Sequence, residues 1–180
     1  MLESKCLPKL STINTGLEDP NMATDEKKQD RGGVIPYYIK DDKIIMMFMQ
    51  PSNPKFGGPS FQIAKGKVEK GESSQEGAFR EAKEELGLFG PNITEVDSLG
   101  RFGTIHIYLA KIKNPDMFGD TTDETKATTW WTPEEFQSQG RSWQKPIVKA
   151  AARKIQKLEN INGQRNTKTR SVDRHSGARF

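Results

Sequence analysis

Glu81, Glu84 and Glu85 stand at positions i, i+3 and i+4. On a helix, about 100° per residue places these three carboxylates on one face. Crowded carboxylates repel, and each would lose ionisation without compensation. A divalent cation is a ready compensation, and hard oxygen donors suit Mg²⁺ or Mn²⁺. Arg80, one turn before Glu84, is placed to steady that carboxylate. Ala78, Phe79, Ala82 and Leu86 fall on the adjoining face and are expected to pack against a sheet. Just upstream, Gly66 and Gly71 permit a tight turn with close approach of the backbone to a ligand. Lys65, Lys67 and Lys70 surround that turn with positive charge suited to phosphate. A Glu-rich helix is ordinarily a solvated face; the glycine- and lysine-bearing loop before this one points instead to a ligand.

The elements that must position these residues are legible in outline. Val34–Ile39 and Lys43–Met49 read as two strands turned at Asp41-Asp42. A loop rich in Pro and Gly spans 51–59, and a short strand is expected at Phe61–Ala64. The helix that carries the glutamates is expected from Ser73 to Leu86, with Ser73 and Glu76 as a capping box and Gly87 as its C-cap. Thr94–Phe102 and Thr104–Lys111 read as a hairpin hinged at Gly103, 113–122 as a loop, and Lys126–Trp131 as a further strand. Thr132-Pro-Glu-Glu135 is a strong helix start. A last helix at 146–158 should turn Val148, Ala151, Ala152, Ile155 and Leu158 to a core. Strands interrupted by helices make this a single α/β domain with a mixed sheet.

The segment from Gly66 to Leu88 resembles the Nudix box, Gly-x5-Glu-x7-Arg-Glu-U-x-Glu-Glu-x-Gly-U with U a bulky apolar residue. Gly66, Glu72, Arg80, Glu81, Glu84, Glu85 and Gly87 fill its fixed places and Leu88 its last apolar one, while Ala82 is small where a larger residue is usual. Seven specified residues at usages near one in fifteen match by chance on the order of 10⁻⁸ per start position. Gly32-Gly33-Val34-Ile35, Ser60–Gly66 and Thr125–Phe136 extend the resemblance to about 31–160. It implies an α/β/α sandwich and attack of water on a phosphoanhydride, aided by Mg²⁺ or Mn²⁺. Glu81, Glu84 and Glu85, joined by the carbonyl of Lys65, would be the metal ligands. Glu72 would steady the loop, Arg80 would orient the carboxylates, and Lys65, Gly66 and Lys67 would meet the substrate.

A general base for the water is Glu81 or Glu84, or a later acid: Asp120, Asp123 and Glu124 lie just before the strand at 126. Tyr37, Tyr38, Phe48, Trp130 and Trp131 could stack a base, though aromatic residues in strands are more often core. His106, in an alternating strand, reads as structural. The substrate is expected to be a nucleoside diphosphate linked to a further group: dinucleoside polyphosphate, nucleotide sugar, nucleoside triphosphate or RNA 5′ end. Lys65-Gly66-Lys67 resembles the dinucleoside polyphosphate branch and Ser60-Phe61-Gln62, distantly, the RNA 5′-pyrophosphohydrolases. A nucleotide-sensing domain without catalysis is the rival, but such domains commonly lose box glutamates and this chain keeps them all.

Composition bounds the rest. The 180 residues carry a net charge of +4, and 161–180 hold five basic residues against one acidic, so the remainder balances. That basic tail is expected to be a disordered segment and a possible accessory for RNA, or, as a second rival, the functional part of an RNA-binding protein. Residues 1–30 read as a flexible arm without a secretory signal. No stretch approaches the roughly 20 apolar residues a membrane span requires. Cys6 is the only cysteine, which suits a reducing cytoplasm. Oligomeric state is left open.

Overall fold

The first turn of the chain's central hairpin is made by two aspartates. Asp41 and Asp42 both take positive φ, 50° and 58°, the conformation that a two-residue hairpin loop demands and that Asp tolerates. They join β1 (Arg31–Lys40) to β2 (Lys43–Pro51), which pair antiparallel. The computed structural model describes residues 29–161. The expected arm and tail, with Cys6, lie outside this range apart from 29–30 and 161.

The other elements follow in order: β3 (Ala64–Lys67), α1 (Ser74–Leu86), β4 (Ile93–Phe102), β5 (Ile105–Ile112), β6 (Thr125–Trp131), α2 (Pro133–Gln139) and α3 (Lys145–Leu158). The sheet runs β4-β5-β1-β2-β6, with β3 pairing β1. β1 is its pivot: parallel to β5 on one side, and antiparallel on the other to β3 at its start and β2 at its end. The expected mixed α/β sheet is thus present, with helices on both faces.

Alternation along the strands divides the core in two. Ile35, Met46, Phe48, Ile107 and Leu109 face Phe136 of α2 and Val148, Ala151 and Ile155 of α3. Val34, Met47, Met49 and Ala110 face Ala78, Ala82 and Leu86 of α1. The face assigned to α1 from its periodicity is therefore the buried one. Gly32 lets this helix lie close on β1, because a Cβ there would come within 2.4 Å of the Ser74 carbonyl oxygen.

Both helix starts carry the expected reciprocal caps: Ser73 with Glu76, and Thr132 with Glu135. Gly87 ends α1 at φ 72°, in the left-handed region glycine favours.

Two expectations need correction. The short strand lies at Ala64–Lys67 rather than Phe61–Ala64, because Lys67 to Ala64 find partners on Arg31 to Val34. The preceding stretch makes only a bridge, between Gln62 and Met49. Leu158 is 40% exposed rather than in the core, because past Ile155 the contact with the core passes to Ile161, while Glu159 ties the helix end to Tyr37 and Lys111; Ile147 is buried on α3 as well. The hairpin β4–β5, the loop before β6 and the start of α2 fall where the sequence put them.

Candidate active site

Arg80 is the hub of the site. Its Nε donates to Glu72 Oε1 at 2.9 Å and its Nη1 to Glu81 Oε1 at 2.9 Å and Glu84 Oε2 at 3.4 Å. Its Nη2 donates to the carbonyl of Lys67 at 2.8 Å. One guanidinium thus ties the glycine-containing loop to the glutamate face of α1, as planar five-donor geometry allows. Arg80 holds Glu72 below the usual carboxylate range, and Glu72 in turn keeps Arg80 firmly charged.

Glu81 and Glu85 are the enclosed members of the trio. The Glu81 side chain is 13% exposed and Glu85 is 8% exposed. Burial pushes both carboxyls up, opposed at Glu81 by Arg80 and at Glu85 by the backbone N–H of Lys65, which donates to Oε2 at 2.7 Å. The Glu81 carboxylate fills the space where Gly66 lacks a side chain: a Cβ there would lie 1.9 Å from its Cδ. Part of the expected compensation for crowding among the three comes from the protein itself. Arg80 and the Lys65 N–H already supply partners, and among the described residues no three acidic, His or Cys side chains converge as a metal site. The donor chemistry nevertheless fits a hard cation, since three carboxylates share one helix face and two of them are buried against their preference for water.

Glu81 and Glu85, but not Glu72, Arg80 or Glu84, open onto a cleft of about 870 Å³. Glu81, Glu85, Lys65, Gly66 and Lys67 line it. Of the later acids, Asp123 and Glu124 line it and Asp120 does not. The loop carrying them is docked on the end of α1 by Gly119 N–H to Gly87 O (2.8 Å) and Thr122 N–H to Glu84 O (2.9 Å). Glu124 is close enough for its charge to raise both Glu81 and Glu85. Lys65 is pushed down, first by burial and then by Arg141 and Arg31, so a cluster of cations shares the cleft with the carboxylates.

The family model for the NUDIX domain matches residues 29–151, the whole sheet with α1, α2 and the first half of α3. The chain belongs to the Nudix hydrolase family. An uncharacterized Nudix hydrolase of Rhodococcus erythropolis is 31% identical over 102 residues, covering 49% of this chain and 55% of that protein; the chain thus spans about half the length of this curated relative. Among solved structures, the Ap4A hydrolase of C. elegans as a binary complex superposes with a TM-score of 0.58 at 22% identity, over 71% of this chain and 97% of that one. The NUDIX domain of Shewanella oneidensis NrtR, complexed with ADP ribose, gives 0.57 at 14% identity, over 72% and 90%. At these identities the likeness carries the fold. No helix among the described residues is long and apolar enough to cross a membrane.

The aromatic candidates of this Nudix chain lie elsewhere. Phe48 packs on Phe136, Trp131 on Phe61 and Phe48, and Trp130 on Tyr38 and Phe118. Buried Tyr37 donates to Glu159. His106 stacks on Tyr108 and bonds Ser98 and Ser74, as a structural residue would. The cleft instead presents Phe56, Arg141 and Trp143, which sequence reasoning passed over. An arginine and a tryptophan in Gly140-Arg141-Ser142-Trp143 carry no periodic signal; only the fold brings them to residues some 80 positions earlier.

Proposed function

We propose that the chain is a pyrophosphohydrolase that uses Mg²⁺ or Mn²⁺ to hydrolyse a phosphoanhydride bond in a nucleoside diphosphate linked to a further group. The observation that carries this reading is the division of one cleft into carboxylates on α1 and a cation cluster of Arg31, Lys65 and Arg141. A polyphosphate needs both, cations for its own charge and oxygens for an accompanying metal. Glu81, Glu84 and Glu85, with the Lys65 carbonyl, would hold the cation. When bound, it supplies neutralisation of phosphate charge and acidification of water.

The chain's own residues do the rest. Glu72 and Arg80 fix the loop against α1 and set the direction of the Glu81 and Glu84 carboxylates. Lys65 and Lys67 offer positive charge to the phosphates, and Gly66 makes room for Glu81 beside them. Of the three later acids, Glu124 is our choice as the proton acceptor for water, because it lines the cleft and its charge reaches both buried glutamates. The family names of two structural neighbours, a hydrolase of Ap4A and a domain holding ADP ribose, support nucleotides as the first compounds to try.

The test is a screen of the purified full chain against dinucleoside polyphosphates, nucleotide sugars, nucleoside triphosphates and 5′-triphosphorylated RNA, with products read by mass. Hydrolysis of at least one class is expected with Mg²⁺ or Mn²⁺, lost in chelator and restored on re-addition. Undiminished turnover in excess chelator would remove the metal from the mechanism, and inertness to every class would return the chain to a sensing role.

A further inference from the structure

Two large aromatic side chains line the cleft without covering one another. Phe56 is 71% exposed and Trp143 45% exposed, and neither pairs with another ring among the described residues. A single exposed aromatic is unremarkable on any protein surface. What sets these two apart is the support built beneath them. Buried Gln62 accepts a hydrogen bond from Arg141 Nη1 through its Oε1 and donates from Nε2 to the Phe56 carbonyl at 3.4 Å. Arg141 Nη1 also donates to that carbonyl, at 3.4 Å. The Arg141 guanidinium lies over the Trp143 ring, 5.5 Å from its centroid.

The backbone is arranged around the same contacts. Gly57 takes φ 136°, and a Cβ on it would fall 2.0 Å from Arg141 Nη1. The turn carrying Trp143 is fastened to the segment before β3 by Arg141 N–H to Phe61 O (3.0 Å) and by Ile63 N–H to Gln144 Oε1 (2.7 Å). Three separate stretches of chain therefore meet around an indole that stays open to solvent, in a cleft where more than half of the other lining residues are charged. A cation–π contact occupies one face of that ring, and the residue remains 45% exposed.

We propose that Trp143, backed by Arg141 and accompanied by Phe56, is the stacking platform for the nucleobase of the substrate. This rests on the reading of the cleft as a nucleotide pyrophosphohydrolase site. A heteroaromatic base is the ligand that satisfies an exposed indole while its attached phosphates meet Arg31, Lys65 and Arg141 in the same cleft. The cleft's roughly 870 Å³ lies within the range of small-molecule sites. Stacking of this kind tolerates any base, since every base has a π-face, so the platform selects nucleotides over bare polyphosphates rather than one base over another.

The experiment compares two non-hydrolysable probes on the full chain with Mg²⁺: α,β-methylene-ADP, and methylenediphosphonate, which has no base. Wild type should bind the nucleotide more tightly by calorimetry. Trp143→Ala should weaken the nucleotide by roughly 5- to 150-fold, the range for loss of one stacked base, and leave the diphosphonate within about twofold. Trp143→Phe should recover most of the loss, and Phe56→Ala should act in the same direction. Nucleotide affinity unchanged in Trp143→Ala, equal losses for both probes, or a wild type that binds both alike would each overturn the platform. Turnover of the wild type separates the two readings. Base-dependent binding with no hydrolysis of any nucleotide retires the hydrolase and keeps the platform, whereas hydrolysis with base-blind binding retires the platform alone.

Discussion

Replacing Gly66 by alanine would separate the fold from the chemistry. The Glu81 carboxylate occupies the place a side chain at 66 would take: an added Cβ would lie 1.9 Å from Glu81 Cδ and 2.1 Å from each oxygen. Carbon atoms in ordinary contact stand about 3.5–4.0 Å apart, so the carboxyl must retreat by roughly 1.6 Å. The displaced group is the far end of a flexible side chain, and moving it costs less than prising α1 from β3. The retreat gives up the 2.9 Å contact with Arg80 and takes Glu81 out of register with Glu84 and Glu85. The backbone itself has no objection, because Gly66 lies in β3 and is not among the glycines with positive φ. Alanine there even restricts the unfolded chain, which favours folding by about 0.4–1 kcal/mol. Stability should therefore stay within about 1 kcal/mol of wild type, while a misplacement of more than 1 Å costs on the order of 100-fold in rate. Thermal melts and kcat on the substrate found by the screen measure the two effects in parallel. A wild-type rate would show that the position of Glu81 is irrelevant to the reaction. A large loss of melting temperature would show that the clash is relieved by the backbone, contrary to this reasoning.

Glu84→Gln and Glu85→Gln should each lower hydrolysis by orders of magnitude; Glu85→Gln should hold or raise the melting temperature of the metal-free protein, since a neutral amide oxygen can still accept from Lys65 N–H without a buried charge. Either variant turning over near the wild-type rate would move the site off this helix face. Phe136→Ala should cost about 3–5 kcal/mol in urea unfolding, because its ring is fully buried at 4.2 Å from that of Phe48; a loss under about 1 kcal/mol would contradict the packing described. Ser73→Ala should cost about 1 kcal/mol by removing the cap of α1. Its partner Glu76 has its carboxyl held below the usual range by the Ser73 N–H. The Glu76 bond to that N–H should therefore contribute above the ordinary carboxylate pKa and fade as pH falls through the lower native one, and equal Glu76→Gln penalties at neutral and strongly acid pH would refute it.

The parts of the site legible in the sequence are those whose logic is local. A capping box three residues wide, a C-cap glycine and glutamates one turn apart are settled within a single helix, and all of them stand where their spacing put them. The strand at 64–67 was displaced because its sequence, Ala64-Lys65-Gly66-Lys67, lacks apolar alternation. Its pairing is decided by Gly32 and Gly33, more than thirty residues away, which Gly66 and Lys65 face across the ladder. The role of Arg80 was half visible. Its reach to Glu84 is an i, i+4 matter, whereas its contacts to Glu72 and the Lys67 carbonyl depend on how the loop folds back.

Phe56, Gln62, Arg141 and Trp143 mark the limit of local reasoning. Each is ordinary where it stands in the chain: an aromatic in a Pro- and Gly-rich loop, a glutamine before a strand, an arginine and a tryptophan between two helices. Their union depends on a hydrogen-bond chain that no periodicity encodes, from Arg141 through Gln62 to the carbonyl of Phe56. Gly57 is the one trace this union leaves in the sequence, and φ 136° explains a glycine there without revealing which side chain fills the space. The box helix can therefore be read from its own residues, while the proposed base platform is assembled by tertiary contacts. On the proposed reading, the segment that carries the reaction and the segments that meet the base obey different rules. A search for specificity should begin at glycines with positive φ beside the cleft, where the backbone has made room for a side chain from elsewhere.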